Sequence, residues 1–345
     1  MLMGCNNYSV QENVSLTAHH TFALPAKARY FCRINNIHSL KALLKDTPFS
    51  AMPRLFIGEG SNTIFIQDFL GIVIQVSIKG KECVYQSDDK VHLKVGAGEN
   101  WHELVLHTLN KGWCGLENLS LIPGSAGAAP IQNIGAYGVE IKDVLHDVSV
   151  LDLFTGEEQV LSNDECGFSY RDSCFKHLYK NRYVITSITL SLNKTPNLSL
   201  EYGELNKSLL DNGITQPTAM DLSRQICKLR RSKLPDPAQF ANAGSFFKNP
   251  MVSVEQFRLL EKKFPEIRAY PAKGERVKLA AGWLIESCGW KGRAIGTVGV
   301  YERQALVLIN LGEATGGALM SVVEAIRSDV KRKFNVSLEI EPMLY

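Results

Sequence analysis

From Thr21 onward, short apolar runs alternate with glycine-rich turns. Arg54-Leu55-Phe56-Ile57 runs into Gly58-Glu59-Gly60-Ser61-Asn62 and reads as a strand followed by a tight turn. Ile72–Val76 and His92–Val95 are further strand candidates. Asn100 predicts a helix N-cap with Glu103 three residues on; Trp101, Leu104, Val105 and Leu109 share one helical face, and Gly112 ends it. Val148–Phe154 and Glu158–Leu161 predict a strand pair joined through Thr155-Gly156, and Tyr183–Leu192 alternates as a strand. Residues 193–217 are rich in Asn, Gly, Thr and Pro and mark a boundary. A helical pattern over Met220–Leu229 stops at Leu234-Pro235-Asp236-Pro237. Leu319, Val322, Val323, Ile326, Val330 and Phe334 form the apolar stripe of a last helix, which Asn335 stops. Val336–Glu341 then alternates as a strand. Residues 1–19 are polar and are expected to be a loosely held tail. With no internal repeat, this mixture of strands and segregated helices predicts an α+β protein.

Composition narrows the function classes. A chain of 345 residues predicts two or three domains, and 45% hydrophobic against 21% charged residues allows a sizeable core. A net charge of +3 without a dense Lys/Arg block argues against a nucleic-acid partner. The 8 cysteines form no CxxC pair and suit no zinc site, so reduced cytosolic thiols and no metal are expected. Leu2-Met3-Gly4-Cys5 has the look of a lipoprotein cleavage site, but no hydrophobic stretch precedes it. No segment reaches the ~18 apolar residues of a membrane span. A soluble, cytoplasmic protein is expected, with no membrane and no obligate protein partner.

Three segments are dense in glycine and small polar residues: Gly58–Asn62, Gly96–Asn100 and the long run Ile122–Gly138. Glycine lets backbone N–H groups approach an anion without a Cβ in the way, and successive N–H groups form an anion-binding nest. For a lone GxG, simple turns are the better explanation. The third run differs, because Gly124, Gly127, Gly135 and Gly138 lie among alanines without a helix or strand pattern. A pyrophosphate-bearing dinucleotide is a natural guest, although neither GxGxxG nor GxxxxGK[ST] is present.

The order of motifs is recognisable. GEGSN at 58–62, GLENLSLIPGSAGAAPIQNIGAYGVE at 115–140, YRDSCFK at 170–176, KLPDP at 233–237, NAGSFFKNP at 242–250 and KLAAGWLIE at 278–286 together resemble the UDP-N-acetylenolpyruvoylglucosamine reductase family. The resemblance runs from about His20 to Glu341. It implies a two-lobed FAD-binding module of the vanillyl-alcohol-oxidase type (residues 20–82 and 83–195), a substrate-binding domain (196–335) and a C-terminal strand returning to the active site (336–345). It also implies NADPH as reductant and a UDP-sugar enolpyruvate as substrate. Gly58, Glu59, Gly60, Ser61 and Asn62 would meet the FAD pyrophosphate. Pro123, Gly124, Ser125 and Gly127, with Gln132, Asn133, Gly135, Ala136, Tyr137 and Gly138, would wrap the rest of the cofactor. No histidine stands in or beside these loops in the sequence, so the FAD is expected to be noncovalent.

The same resemblance assigns catalysis to Arg171, Ser245 and Glu341. Hydride addition to C3 of an enolpyruvyl ether places charge on C2 and the carboxylate, which calls for a cation there and an acid at C2. Arg171 suits the carboxylate, since a guanidinium can clamp it by two bonds; the bland alternative is a surface ion pair with Asp172. Ser245 would be the proton donor, against the ordinary role of a turn serine after Gly244. Glu341 shares its strand face with Glu339, and alternation alone does not choose between them. Here the chain reads Leu-Glu-Ile-Glu-Pro where the family usually reads Leu-Glu-Pro-Glu. It also has His20-Thr21-Phe22-Ala23 for the family's Asn-Thr-Phe-Gly, and Tyr301 where histidine is common. For the UDP end the resemblance suggests Tyr170, Tyr202, Arg230, Lys233, Asn249 and Gln304, with Tyr202-Gly203 matching the subtype that has a mobile tyrosine loop. Lys233 reads equally well as a favourable charge at a helix C-terminus. Two rivals remain: a flavin oxidase of the same superfamily, and a nucleotide-binding scaffold without catalysis.

Overall fold

The computed structural model describes residues 8–47, 49–202, 204–272 and 274–345. The possible cleavage site at Leu2–Cys5 and Gly203 of the tyrosine loop lie outside them. The chain divides into two compact units that are each discontinuous in sequence. One comprises the described residues up to Val14 with Ala28–Glu59 and Leu70–Ser232; the other comprises Ser15–Lys27, Gly60–Phe69 and Lys233–Tyr345.

Among the described residues the first unit holds two larger sheets and one two-stranded hairpin. In one, the strands Val10–Ser15, Lys27–Ile34, Phe69–Val76 and Arg54–Ile57 lie in that spatial order, the last two parallel. In the other, Glu158–Ser162, Leu145–Asp152, Tyr183–Asn193, Lys90–Gly96 and Lys81–Gln86 form an antiparallel series. The central strand Tyr183–Asn193 is buried on both faces over most of its length. Four helices accompany them: α1 (Ile37–Lys45), α2 (Trp101–Asn110), α3 (Glu204–Asp211) and α4 (Ala219–Lys233). The expected cap is present, with Asn100 Oδ1 accepting from Glu103 N at 3.0 Å. One core runs from Val10 to Ala219 and contains Trp101, whose indole donates to the Leu119 carbonyl at 2.9 Å.

The second unit packs α5 (Val254–Lys263), α6 (Ala281–Ser287) and α7 (Gly316–Phe334) with two small antiparallel sheets. The predicted stripe of α7 is buried from Leu319 to Phe334, and Asn335 ends the helix in the left-handed region.

Three expectations differ from the structure. The described part of the N-terminal stretch is no loose tail: Val10–Ser15 is a strand, and Leu16 is wholly buried. The serial division at residue 195 is replaced by a break after Ser232, because α3 and α4 belong to the first unit. Val336–Glu341 keeps its in-out burial alternation at Val336–Glu339, yet it joins no sheet beyond an isolated bridge between Phe247 and Ile340. A short strand follows instead at Met343–Leu344, parallel to Thr63–Ile64. Alternation reports burial, and a segment lying over a core can alternate without a ladder partner.

Candidate active site

In the first unit the glycine-rich segments interlock. A methyl group added at Gly58 would overlap the Ser125 hydroxyl, and one at Gly127 would lie 2.5 Å from Ala97 Cβ. Backbone bonds from Ala126 N to Glu99 O and from Gly127 N to Ala97 O, both 2.8 Å, tie the long run to Gly96–Asn100. Asn100 Nδ2 donates to both carboxylate oxygens of Glu59 at 3.0 Å. Glycine at these contacts lets three distant loops form one surface made largely of backbone.

Gly135–Ala136 and Val139–Glu140 form a hairpin whose two connecting residues, Tyr137 (φ 49°) and Gly138 (φ 85°), are both left-handed. That geometry matches the twist of the strands but is uncommon for tyrosine. It turns the Tyr137 ring against Tyr202, edge to face at 5.6 Å. Asn133, also left-handed and fully buried, spends its side chain inside the protein: Nδ2 donates to Glu140 and to the Ser169 carbonyl, and Oδ1 accepts from Lys142 N.

Arg171 occupies a tight turn closed by reciprocal backbone bonds between Ser169 and Asp172, with φ 55°. Strain of this kind in a non-glycine residue persists where the surroundings over-determine it. The surroundings are visible: Nη2 donates to the Gly135 carbonyl at 2.8 Å, Nη1 to that of Asn133 at 3.5 Å, and the guanidinium lies over the Tyr170 ring. Asp172 hydrogen-bonds with His177 Nε2 at 2.7 Å.

Arg230, on α4, reaches the same region. The residue is half-buried as a whole, yet its Nε is closed off from solvent without a hydrogen-bond partner among the described residues. Burial pushes its pKa down; Tyr137 and Cys227 oppose that shift, and the Arg171 charge adds to it. Two guanidiniums within electrostatic reach favour an anion between them. Burial likewise raises the Tyr137 phenol, which Arg230 partly offsets.

In the second unit, Ser245 closes the strand Ala241–Ser245 at an irregularity in its pairing with Val307–Asn310, where Gly244 takes φ 69°. Asn242 Oδ1 accepts from Gly244 N at 2.9 Å and holds this turn. The C-terminal segment crosses the next residues: Glu341 N donates to Phe246 O, and Lys248 N to Glu339 O, both at 2.9 Å. Glu341 is therefore bonded through its backbone to the neighbour of Ser245. Glu339, whose carbonyl takes the Lys248 bond, lies beside Lys248 with its side chain largely exposed. Asn249 Oδ1 accepts from Ala281 N at the start of α6, Gln304 Oε1 accepts from Leu306 N at 3.3 Å, and Lys233 is the last residue of α4. Sequence neighbours misled in one respect. His19 and His20 pack directly under Gly60, and His102 Nδ1 accepts from Leu121 N beside the long glycine run. Both loops thus have histidines beside them in space. His20 is buried with Nε2 on the Leu24 carbonyl, and His102 Nε2 lies 3.9 Å from the Cys227 sulfur. One buried contact at the hairpin went unread: Asn118, a polar residue between buried Leu116 and Leu119, donates to the Tyr137 carbonyl, and its place inside an apolar run was the available signal.

Residues 28–162 match the FAD binding domain family, and residues 236–345 match the C-terminal domain of UDP-N-acetylenolpyruvoylglucosamine reductase. The chain is 45% identical over 333 residues to the UDP-N-acetylenolpyruvoylglucosamine reductase of Chromobacterium violaceum, spanning 96% of this chain and 98% of that one. It is 44% identical over 335 residues to the Pseudomonas putida protein of the same name, spanning 97% and 98%. The crystal structure of the Thermus caldophilus reductase (MurB) shares the fold, with a TM-score of 0.68 over 98% of this chain and 99% of that chain at 22% identity. With such identity along nearly its whole length and both domains matched, the chain belongs to the UDP-N-acetylenolpyruvoylglucosamine reductase family.

Proposed function

We propose that this protein reduces UDP-N-acetylglucosamine enolpyruvate to UDP-N-acetylmuramate in peptidoglycan precursor synthesis, with NADPH as reductant and noncovalent FAD as the carrier. The observation that carries the reading is the interlocked glycine surface of the FAD-binding region, with the Arg171 guanidinium mounted on the Gly135 carbonyl and the Arg230 guanidinium within electrostatic reach of it. The residues present fit the cofactor: Gly58–Asn62, Pro123–Gly127 and Gln132–Gly138 would hold it through backbone and small side chains. When bound, FAD supplies hydride transfer between NADPH and the enolpyruvyl carbon.

The protein's own residues do the rest. Arg171, held by two carbonyls, stabilises the carboxylate as charge builds on it, and Arg230 strengthens that field from a desolvated position. Ser245 gives C2 its proton. A serine hydroxyl is a weak acid, so it serves only because it is fixed and the carbanionic charge it quenches is high in energy. Glu341 orients that end of the site. Tyr170, Tyr202, Lys233, Asn249 and Gln304 bind the UDP sugar, with Lys233 countering the diphosphate. The Nδ2 group of Asn249 is the end left for a ligand by the bond its Oδ1 makes to α6. Among the described residues no helix is long and apolar enough to cross a membrane and no cluster of potential ligands could hold a metal ion. A cytoplasmic site of action, where NADPH and nucleotide sugars are made, fits the reaction.

The test is anaerobic. The yellow protein should bleach with NADPH and regain its colour with the enolpyruvyl sugar nucleotide, and acid precipitation should release FAD into the supernatant. A reduced flavin that the sugar nucleotide fails to reoxidise would favour the oxidase or scaffold reading instead.

A further inference from the structure

The segment that carries Tyr202 follows the strand Tyr183–Asn193, and residues 194–202 have no regular structure. Leu198 and Leu200 pack against Leu205, Leu209, Leu222 and Ile226, which anchors its base. Tyr202 itself is 45% exposed, so packing alone does not fix it. Its ring meets Tyr137 at the tip of the left-handed hairpin, and Gly138 faces Ser199 and Tyr202 with no side chain between.

Asn118 joins these two parts. It is 1% exposed, in a 3-10 turn over Glu117–Leu119, and its Nδ2 donates to the Tyr137 carbonyl at 2.9 Å and to the Ser199 carbonyl at 3.0 Å. A primary amide carries two N–H donors. Here one goes to the hairpin and the other to the tyrosine segment, with Ser199 81 positions after Asn118 in the chain. Removing the amide would leave two carbonyls without that partner in a place where water cannot easily replace it. Asn133 makes the equivalent tie on the other side, from the turn that precedes the hairpin to the Ser169 carbonyl of the Arg171 turn. The hairpin is thus the hub on which both side chains are mounted.

We propose that Asn118 is a positioning residue for substrate binding, whose amide straps the Tyr202 segment to the Tyr137 hairpin and so sets where Tyr202 closes. The proposal rests on the reading of Tyr202 as a substrate contact. It names a residue that acts through that contact without touching the reacting atoms.

The test is a double-mutant cycle combined with hydrogen exchange on the flavin-loaded protein. Asn118→Ala should retain FAD and its reduction by NADPH, while KM for the enolpyruvyl sugar nucleotide rises about tenfold and kcat changes little. Tyr202→Ala should show a similar KM effect, and the double variant should be no worse than Tyr202→Ala alone, since both act through one contact. Amide exchange over 198–202 should quicken in Asn118→Ala. Unchanged exchange, or KM effects that multiply, would overturn the proposal. If Tyr202→Ala leaves KM unchanged while exchange still quickens in Asn118→Ala, the strap stands and the substrate role of Tyr202 fails. Should Asn118→Ala not accumulate with flavin, Asn118→Ser keeps a donor for one carbonyl, and the same outcomes are read at smaller amplitude.

Discussion

The two units hold their candidate catalytic groups in opposite ways. Arg171 is a side chain fixed by other residues' carbonyls, on a strained backbone turn, over a hub of left-handed residues. Ser245 ends a short strand and Glu341 follows an isolated bridge, and the backbone around both is tied by bonds from Phe246 N to Leu306 O and from Glu341 N to Phe246 O. The first arrangement fixes a charge in direction, as carboxylate recognition needs. The second fixes backbone beside a short side chain, which is what a proton donor at Ser245 would need. Substitutions in the first unit should therefore be severe whenever they disturb geometry, and those in the second should be specific to one chemical step.

The largest effect is expected at Arg171. Arg171→Lys keeps a charge but loses the planar fork that reaches two carbonyls. Reoxidation of the reduced flavin by the enolpyruvyl substrate should slow by about 10²–10³-fold, the loss typical of a preorganised donor at developing charge. Flavin reduction should change far less. Equal damage to both half-reactions would mean that the turn supports the whole unit rather than the substrate.

A smaller effect, on binding and stability, is expected where the loops interlock. In Gly127→Ala the new methyl would lie 2.5 Å from Ala97 Cβ and 2.9 Å from its Cα. Backbone cannot yield as a flexible side chain would, so overpacking should cost about 1–3 kcal/mol and much of the bound FAD. Thermal melts with flavin fluorescence measure both, and a variant that melts normally with full flavin would show that the loops are looser than the contacts imply.

The smallest effect belongs to the second unit and depends on pH. Burial holds His20 below its ordinary pKa of 6.5, with the Leu24 carbonyl opposing and His19 adding to the shift. Between that lowered value and about 6.5 the unfolded chain binds more protons, so stability should fall as pH drops through this window. His20→Asn should flatten the fall in Tm between about pH 7 and 5. Parallel curves for parent and variant would remove His20 as the source.

Legibility in the sequence followed the range of the forces involved. The strand Arg54–Ile57 and the cap at Asn100 depend on local periodicity and a local bond, and both appear as read. The stripe of α7 was visible because one helix face meets one core. The N-terminal strand was missed because its residues are mostly exposed; it is held by pairing with Lys27–Ile34 and leaves little apolar pattern. At the site, family likeness pointed to Arg171, Ser245 and Glu341, but the left-handed turn and the Asn118 ties depend on contacts across tens of residues. Single-residue properties carry no trace of such contacts. The histidines under Gly60 show the same limit, since residues 40 apart in the chain become neighbours only in the fold.

Separating the two half-reactions of Ser245→Ala tests the division of labour most directly. By anaerobic stopped flow, the variant should hold FAD and be reduced by NADPH at nearly the parent rate. Its reoxidation by the enolpyruvyl substrate should fall by ~10²–10⁴-fold, the usual contribution of positioned proton transfer, and Ser245→Cys should recover much of that loss. A Ser245→Ala variant that reoxidises at the parent rate would contradict the account and leave Ser245 as a turn residue of the strand Ala241–Ser245.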